Sequence, residues 1–177
     1  MSRFLVAVFG SGADRPEDTA RARALGVALG SAGFGVINGG YGGTMSASAA
    51  GAQSAGAPTV GVTCVEFGRA GPNPHLDEIV EARTLTERLE HLLRRADAYV
   101  VLPGGNGTLA ELSLAWEHLR KGLVEPRPLV VWEDPWRPIV ETIAAGPHLD
   151  GGTEPITWVD DVDAAVASII ARVPQEG

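Results

Sequence analysis

Three glycine runs carry the clearest chemical signal in this 177-residue chain: Gly10-Ser11-Gly12, Gly39-Gly40-Tyr41-Gly42-Gly43 and Gly104-Gly105-Asn106-Gly107-Thr108. Each follows a short apolar run and precedes a helical pattern. Glycine at such a junction lets backbone N–H groups approach an anion closely, and the helix that follows presents the positive end of its dipole. A single run is equally well explained as a tight strand-to-helix turn. Three runs on one sheet edge favour a pocket for a phosphate or a nucleotide. None continues as Gly-Lys-Ser/Thr, and none fits Gly-x-Gly-x-x-Gly. The sequence therefore speaks against a P-loop nucleotidase and a nicotinamide dehydrogenase.

The most specific segment runs from Pro103 to Glu111 and has the form P-G-G-x-G-T-x-x-E. Thr108 is expected at the helix start, with its hydroxyl and the free N–H groups toward a phosphate. Glu111 follows three residues later on the same face of the first turn. The same spacing also suits a capping box. Arg88 lies on an earlier helical pattern, where an ion pair with Glu87, Glu90 or Glu111 is the plainer reading.

Other chemistry-bearing residues are sparse. His75, His91, His118 and His148 have no metal-ligand spacing, and no Cys–His cluster exists. His118, seven residues after Glu111, is a weaker candidate for the pocket wall. Cys64, the single cysteine, reads as a small buried residue and excludes an intramolecular disulfide. The basic residues are thirteen arginines and one lysine, Lys121, so a Schiff-base cofactor has one candidate. It falls at the far end of its helix from the glycine loops.

The elements that must position these groups alternate along the chain. Strands are expected at 4–9, 34–37, 59–63, 78–82, 97–102, 129–132 and 156–159. Helical patterns fill 15–32, 44–55, 84–95, 109–120, 136–145 and 160–173, with a loop at 66–77. Thr84 or Thr86 is placed to cap the helix at 84–95. This alternation predicts a single α/β domain over 1–177, doubly wound and Rossmann-like, with a mainly parallel sheet and a frayed tail at 174–177.

Apolar residues make up 45% and charged residues 20%, which is enough to build a core. The net charge of −8 gives no general attraction to nucleic acid or an anionic membrane, so a bound phosphate must be held locally. The opening apolar run stops at Gly10, too short for a signal peptide or a membrane span. A cytoplasmic protein is expected.

Taken together, these segments resemble the "Lonely guy" (LOG) family of cytokinin riboside 5′-monophosphate phosphoribohydrolases, many of which were first labelled lysine decarboxylases. The Pro103–Glu111 segment matches the family signature. Gly39-Gly40-Tyr41-Gly42-Gly43-Thr44-Met45 is similar to its G-G-x-x-G-L-M run, with Thr44 in the place of leucine. Arg88 stands fifteen residues before Pro103, where the family carries a catalytic arginine. The resemblance spans residues 4 to 145 and departs at Leu89, where lysine is usual, and at Ala110, where an acid is usual. It implies catalytic roles for Arg88 and Glu111. It implies substrate contacts at Gly10, Ser11, Gly39, Gly40, Gly42, Gly43, Met45, Gly104, Gly105, Asn106, Gly107 and Thr108. The implied reaction frees a base and ribose 5-phosphate from AMP or an N6-modified AMP, as in cytokinin biosynthesis, with no metal or redox cofactor. The alternative is a non-catalytic carrier of a nucleotide or of molybdenum cofactor. A homodimer is implied too, and Leu112, Leu114, Trp116 and Leu119 offer apolar positions on more than one helix face.

Overall fold

A computed structural model describes residues 4–68, 71–148 and 152–172. Its strands are β1 (Leu5–Phe9), β2 (Gly35–Asn38), β3 (Thr59–Cys64), β4 (Glu78–Ala82), β5 (Ala98–Val101), β6 (Leu129–Trp132) and β7 (Ile156–Val159). The helices are α1 (Pro16–Ser31), α2 (Thr44–Ser54), α3 (Leu85–Arg95), α4 (Asn106–Arg120), α5 (Glu133–Ala144) and α6 (Val162–Ile170). A short 3-10 turn, Val65–Phe67, follows β3. The strands form one parallel sheet in the order β4-β3-β2-β1-β5-β6-β7. This is the doubly wound α/β architecture the alternation predicts.

The central strands are continuous runs of valine, alanine and isoleucine because both sheet faces are covered by helices. Val6, Ala7, Val36, Ile37, Val100, Val101, Val130 and Val131 have essentially no exposed surface. The chain first winds outward from β1 to β4, then returns to lay β5 on the other side of β1. The loops after β1 and β5 therefore diverge, and a crevice opens between them at the carboxyl edge of the sheet.

Among the helix starts, that of α4 departs furthest from the sequence reading. α4 begins at Asn106 rather than Leu109, because Leu109 N–H already bonds Gly105 C=O at 2.9 Å. Thr108 therefore lies inside the first turn, Gly105 is the N-cap, and no capping box forms. In α5 the backbone at Asp134 is non-helical, so the regular helix runs from Pro135, one residue before the expected Trp136. Thr84 does cap α3, accepting from Glu87 N–H at 3.1 Å. α6 ends at Ile170, short of the expected Val173, which lies outside the described residues with the expected tail at 174–177. Trp116 and Leu112 are buried in the core of the chain itself, and Leu114 and Leu119 pack against that core. These apolar positions are thus accounted for within one copy.

Candidate functional site

A cleft of about 430 Å³ opens at the switch between β1 and β5. Gly10, Ser11 and Gly12 form one wall, and Gly105, Asn106, Gly107 and Thr108 form the other. Arg88 and Glu111 close the floor, while Met45, Tyr41, Phe67, Leu85, Leu89 and Ala110 complete the lining.

The helices that follow the three glycine runs, α1, α2 and α4, have no side-chain cap, whereas Thr84 caps α3 and Asp161 caps α6. At α2 the vacancy is filled from within: Thr44 N–H and its hydroxyl both donate to Ser11 C=O at 2.9 Å. The first turn of α4 instead faces the cleft. Its leading N–H groups have no carbonyl within the helix to bond, so they suit an anion.

Arg88 and Glu111 meet at the cleft floor, with Nη1 3.6 Å from Oε1, and both are buried. Arg88 Nε donates to Val62 C=O at 2.8 Å. Burial pushes the Glu111 carboxyl from 4.5 up to about 7, and the positive charge of Arg88 only partly offsets it. Glu111 is therefore poised to change protonation near neutral pH, the range in which a carboxyl works as acid or base. The ion pair considered for Arg88 exists, and it lies inside the molecule rather than on its surface.

Gly39, Gly40, Gly42, Gly43 and Gly104 lie outside the lining of this cleft, and Gly39 and Gly104 pack directly against side chains that line it. A Cβ on Gly39 would run into Arg88 Nη2, and one on Gly104 into the Thr108 hydroxyl. Both glycines leave room for a site side chain. The buried Asn38 staples the second glycine run: its Oδ1 accepts from Gly40 N–H at 2.9 Å and its Nδ2 donates to Met45 C=O at 2.8 Å. Sequence reasoning missed Asn38, although an asparagine ending a buried strand before Gly-Gly is a readable signal. It also missed Phe67, Leu85, Leu89 and Ala110 as lining, and named Gly12 and Tyr41 only as parts of their glycine runs.

His118 lies away from this cleft. It lines a separate small groove with Thr86, Glu90, Leu93, Arg94 and Leu114, and its Nδ1 is 2.8 Å from Leu114 C=O. Lys121 follows α4 at its C-terminal end, opposite the glycine loops. Among the described residues no group of three or more His, Cys, Asp or Glu is arranged to hold a metal ion, and no helix is long and apolar enough to cross a membrane.

A parallel sheet with a crevice at its switch point, floored by a buried arginine–glutamate pair, defines a Rossmann-like α/β protein. Residues 3–125 match the SLOG cluster4 family, and the chain belongs to that family. It is similar to a protein of Mycobacterium marinum named cytokinin riboside 5′-monophosphate phosphoribohydrolase, 34% identical over 76% of this chain and 72% of the relative. A protein of the same name from Mycobacterium tuberculosis is 36% identical over 63% of this chain and 60% of the relative. Among solved structures, the structural-genomics target TM1055 superimposes with a TM-score of 0.76 at 27% identity, covering 95% of this chain and 98% of that one. The molybdenum cofactor binding protein of Rippkaea orientalis shares the fold, with a TM-score of 0.79 at 18% identity over 97% and 98% of the two chains.

Proposed function

We propose that this chain hydrolyses the N-glycosidic bond of a nucleoside 5′-monophosphate, AMP or an N6-modified AMP of the cytokinin type. Water is the second substrate, and the products are the free base and ribose 5-phosphate. The observation that carries this reading is the buried Arg88–Glu111 pair one turn in from the uncapped start of α4. The names of the two mycobacterial relatives support it.

Cleaving this bond builds positive charge on the ribose. The Glu111 carboxylate stabilises that charge and orients the attacking water. The first-turn N–H groups of α4 and the Thr108 hydroxyl hold the 5′-phosphate. The three-residue step from Thr108 to Glu111 advances about 4.5 Å, close to the separation of a 5′-phosphate from the ribose hydroxyls. Arg88, always charged, stabilises the departing base. Met45, Tyr41, Phe67, Leu85 and Leu89 give the base an apolar wall. Homodimerisation in the cytoplasm belongs to the same proposal.

The test is to incubate purified protein with AMP and with isopentenyl-AMP and to measure free base by chromatography. Release by the wild type and none by Glu111→Gln, with nucleotide binding retained, is the expected result. Tight AMP binding with no release from either nucleotide would replace hydrolysis with a carrier role.

A further inference from the structure

Arg88 is a buried cation facing a carboxyl that is not fully ionised at neutral pH, so other groups must help to fix it. Its guanidinium carbon lies 5.9 Å from the centre of the Tyr41 ring and 5.5 Å from that of Phe67, and the two ring centres are 6.0 Å apart. The three groups form a nearly equilateral triangle, so the guanidinium sits in an aromatic corner rather than between stacked faces. Both rings are within the range at which a π-face attracts a cation.

Tyr41 is itself pinned. Its hydroxyl accepts from Cys64 N–H at 2.8 Å and lies 3.2 Å from Cys64 C=O, to which it donates. The Asn73 side chain donates to Tyr41 C=O at 3.0 Å. The ring is therefore fixed at the end of β3, the strand whose Val62 C=O takes Arg88 Nε. One strand thus places both the hydrogen-bond acceptor and the aromatic wall for the same guanidinium.

We propose that Tyr41, with Phe67 as the second wall, is a positioning residue that holds the Arg88 guanidinium against Glu111. Its role rests on the hydrolytic reading for its purpose but not for its measurement. Among the described residues, Arg88 supplies the one charge that lowers the Glu111 titration, so the position of Arg88 can be read at Glu111 without turnover.

The experiment follows the Glu111 carboxyl by NMR with 13C-labelled glutamate, assigned by its loss in Glu111→Gln, across pH in the wild type, Tyr41→Phe and Tyr41→Leu. Tyr41→Leu raises the Glu111 midpoint by about one pH unit, as removing a neighbouring cation does. Tyr41→Phe keeps the ring but loses both hydrogen bonds to Cys64, so its shift is smaller than that of Tyr41→Leu. An unchanged midpoint in folded Tyr41→Leu overturns the proposal, as does a Tyr41→Phe shift as large as that of Tyr41→Leu. If Tyr41→Leu fails to fold, Phe67→Leu removes the other wall from a half-buried turn and decides in its place. Base release from AMP and from isopentenyl-AMP is measured on the same samples. A wild type that releases no base defeats the hydrolytic reading and leaves the titration to judge Tyr41.

Discussion

Replacing Glu111 by glutamine should change how stability depends on pH, whatever the ligand. The carboxyl titrates at 4.5 in the unfolded chain and at about 7 in the folded one. Folding therefore takes up a proton between these values, and the native state loses stability as pH rises through about 7. The 2.5-unit difference corresponds to about 3 kcal/mol in total, of which roughly 2.5 kcal/mol develops between pH 5 and pH 8. Glutamine has nearly the same shape as the protonated acid and does not titrate. Urea unfolding of both proteins at pH 5 and pH 8 isolates this contribution, because every other titrating group is common to the pair. The variant gains on the wild type by roughly 2.5 kcal/mol between the two pH values. Parallel stability curves for the two proteins would refute the assignment of a raised carboxyl at the cleft floor.

Further predictions concern the walls of the cleft. Gly39→Ala drives a methyl group into Arg88 Nη2, so base release should fall by about 100-fold, a loss typical of a displaced charge-stabilising group; an unimpaired rate in initial-velocity assays argues against a positioned arginine. Thr108→Ala removes a buried hydroxyl at the start of α4 and should weaken AMP binding by about 10-fold, on the order of one hydrogen bond to a charged group. Calorimetry should show adenosine binding unchanged in that variant. Lys121→Ala should leave base release at the wild-type rate, and a pyridoxal absorbance lost with this lysine would point to a different chemistry.

The sheet was legible because each central strand is an uninterrupted apolar run, and the glycine turns between strands and helices mark where the loops lie. The beginning of α4 was harder to read. Asn106 and Gly107 are poor helix formers, yet they occupy the first turn, where exposed N–H groups matter more than propensity. The burial of Arg88 was not legible in the sequence, since Glu87 and Glu90 beside it suit a surface ion pair, and the family resemblance alone singled it out. Its burial comes from the packing of α3 against β3, a contact between residues 26 positions apart. The second glycine run is expected to touch the ligand, and what the packed structure adds is that Gly39 also abuts Arg88 Nη2.

The strand order also sets a sequence of events during synthesis. β1 to β4 can pair one after another as they emerge, because they neighbour each other in chain order. The other edge of β1 has no partner until β5 arrives, 89 residues after Phe9. At ordinary translation rates of about 5–20 residues per second, that edge waits roughly 4–18 s. It is a bare apolar strand, Val6-Ala7-Val8-Phe9, with its backbone groups unpaired on one side, the kind of edge that recruits other chains. Asp97 ends the wait: its carboxylate takes Leu5 N–H at 2.8 Å while its own N–H bonds Leu5 C=O at 2.7 Å. A ribosome stalled after Ala82 should therefore carry a nascent chain that binds chaperones or aggregates, and one released beyond β5 should not.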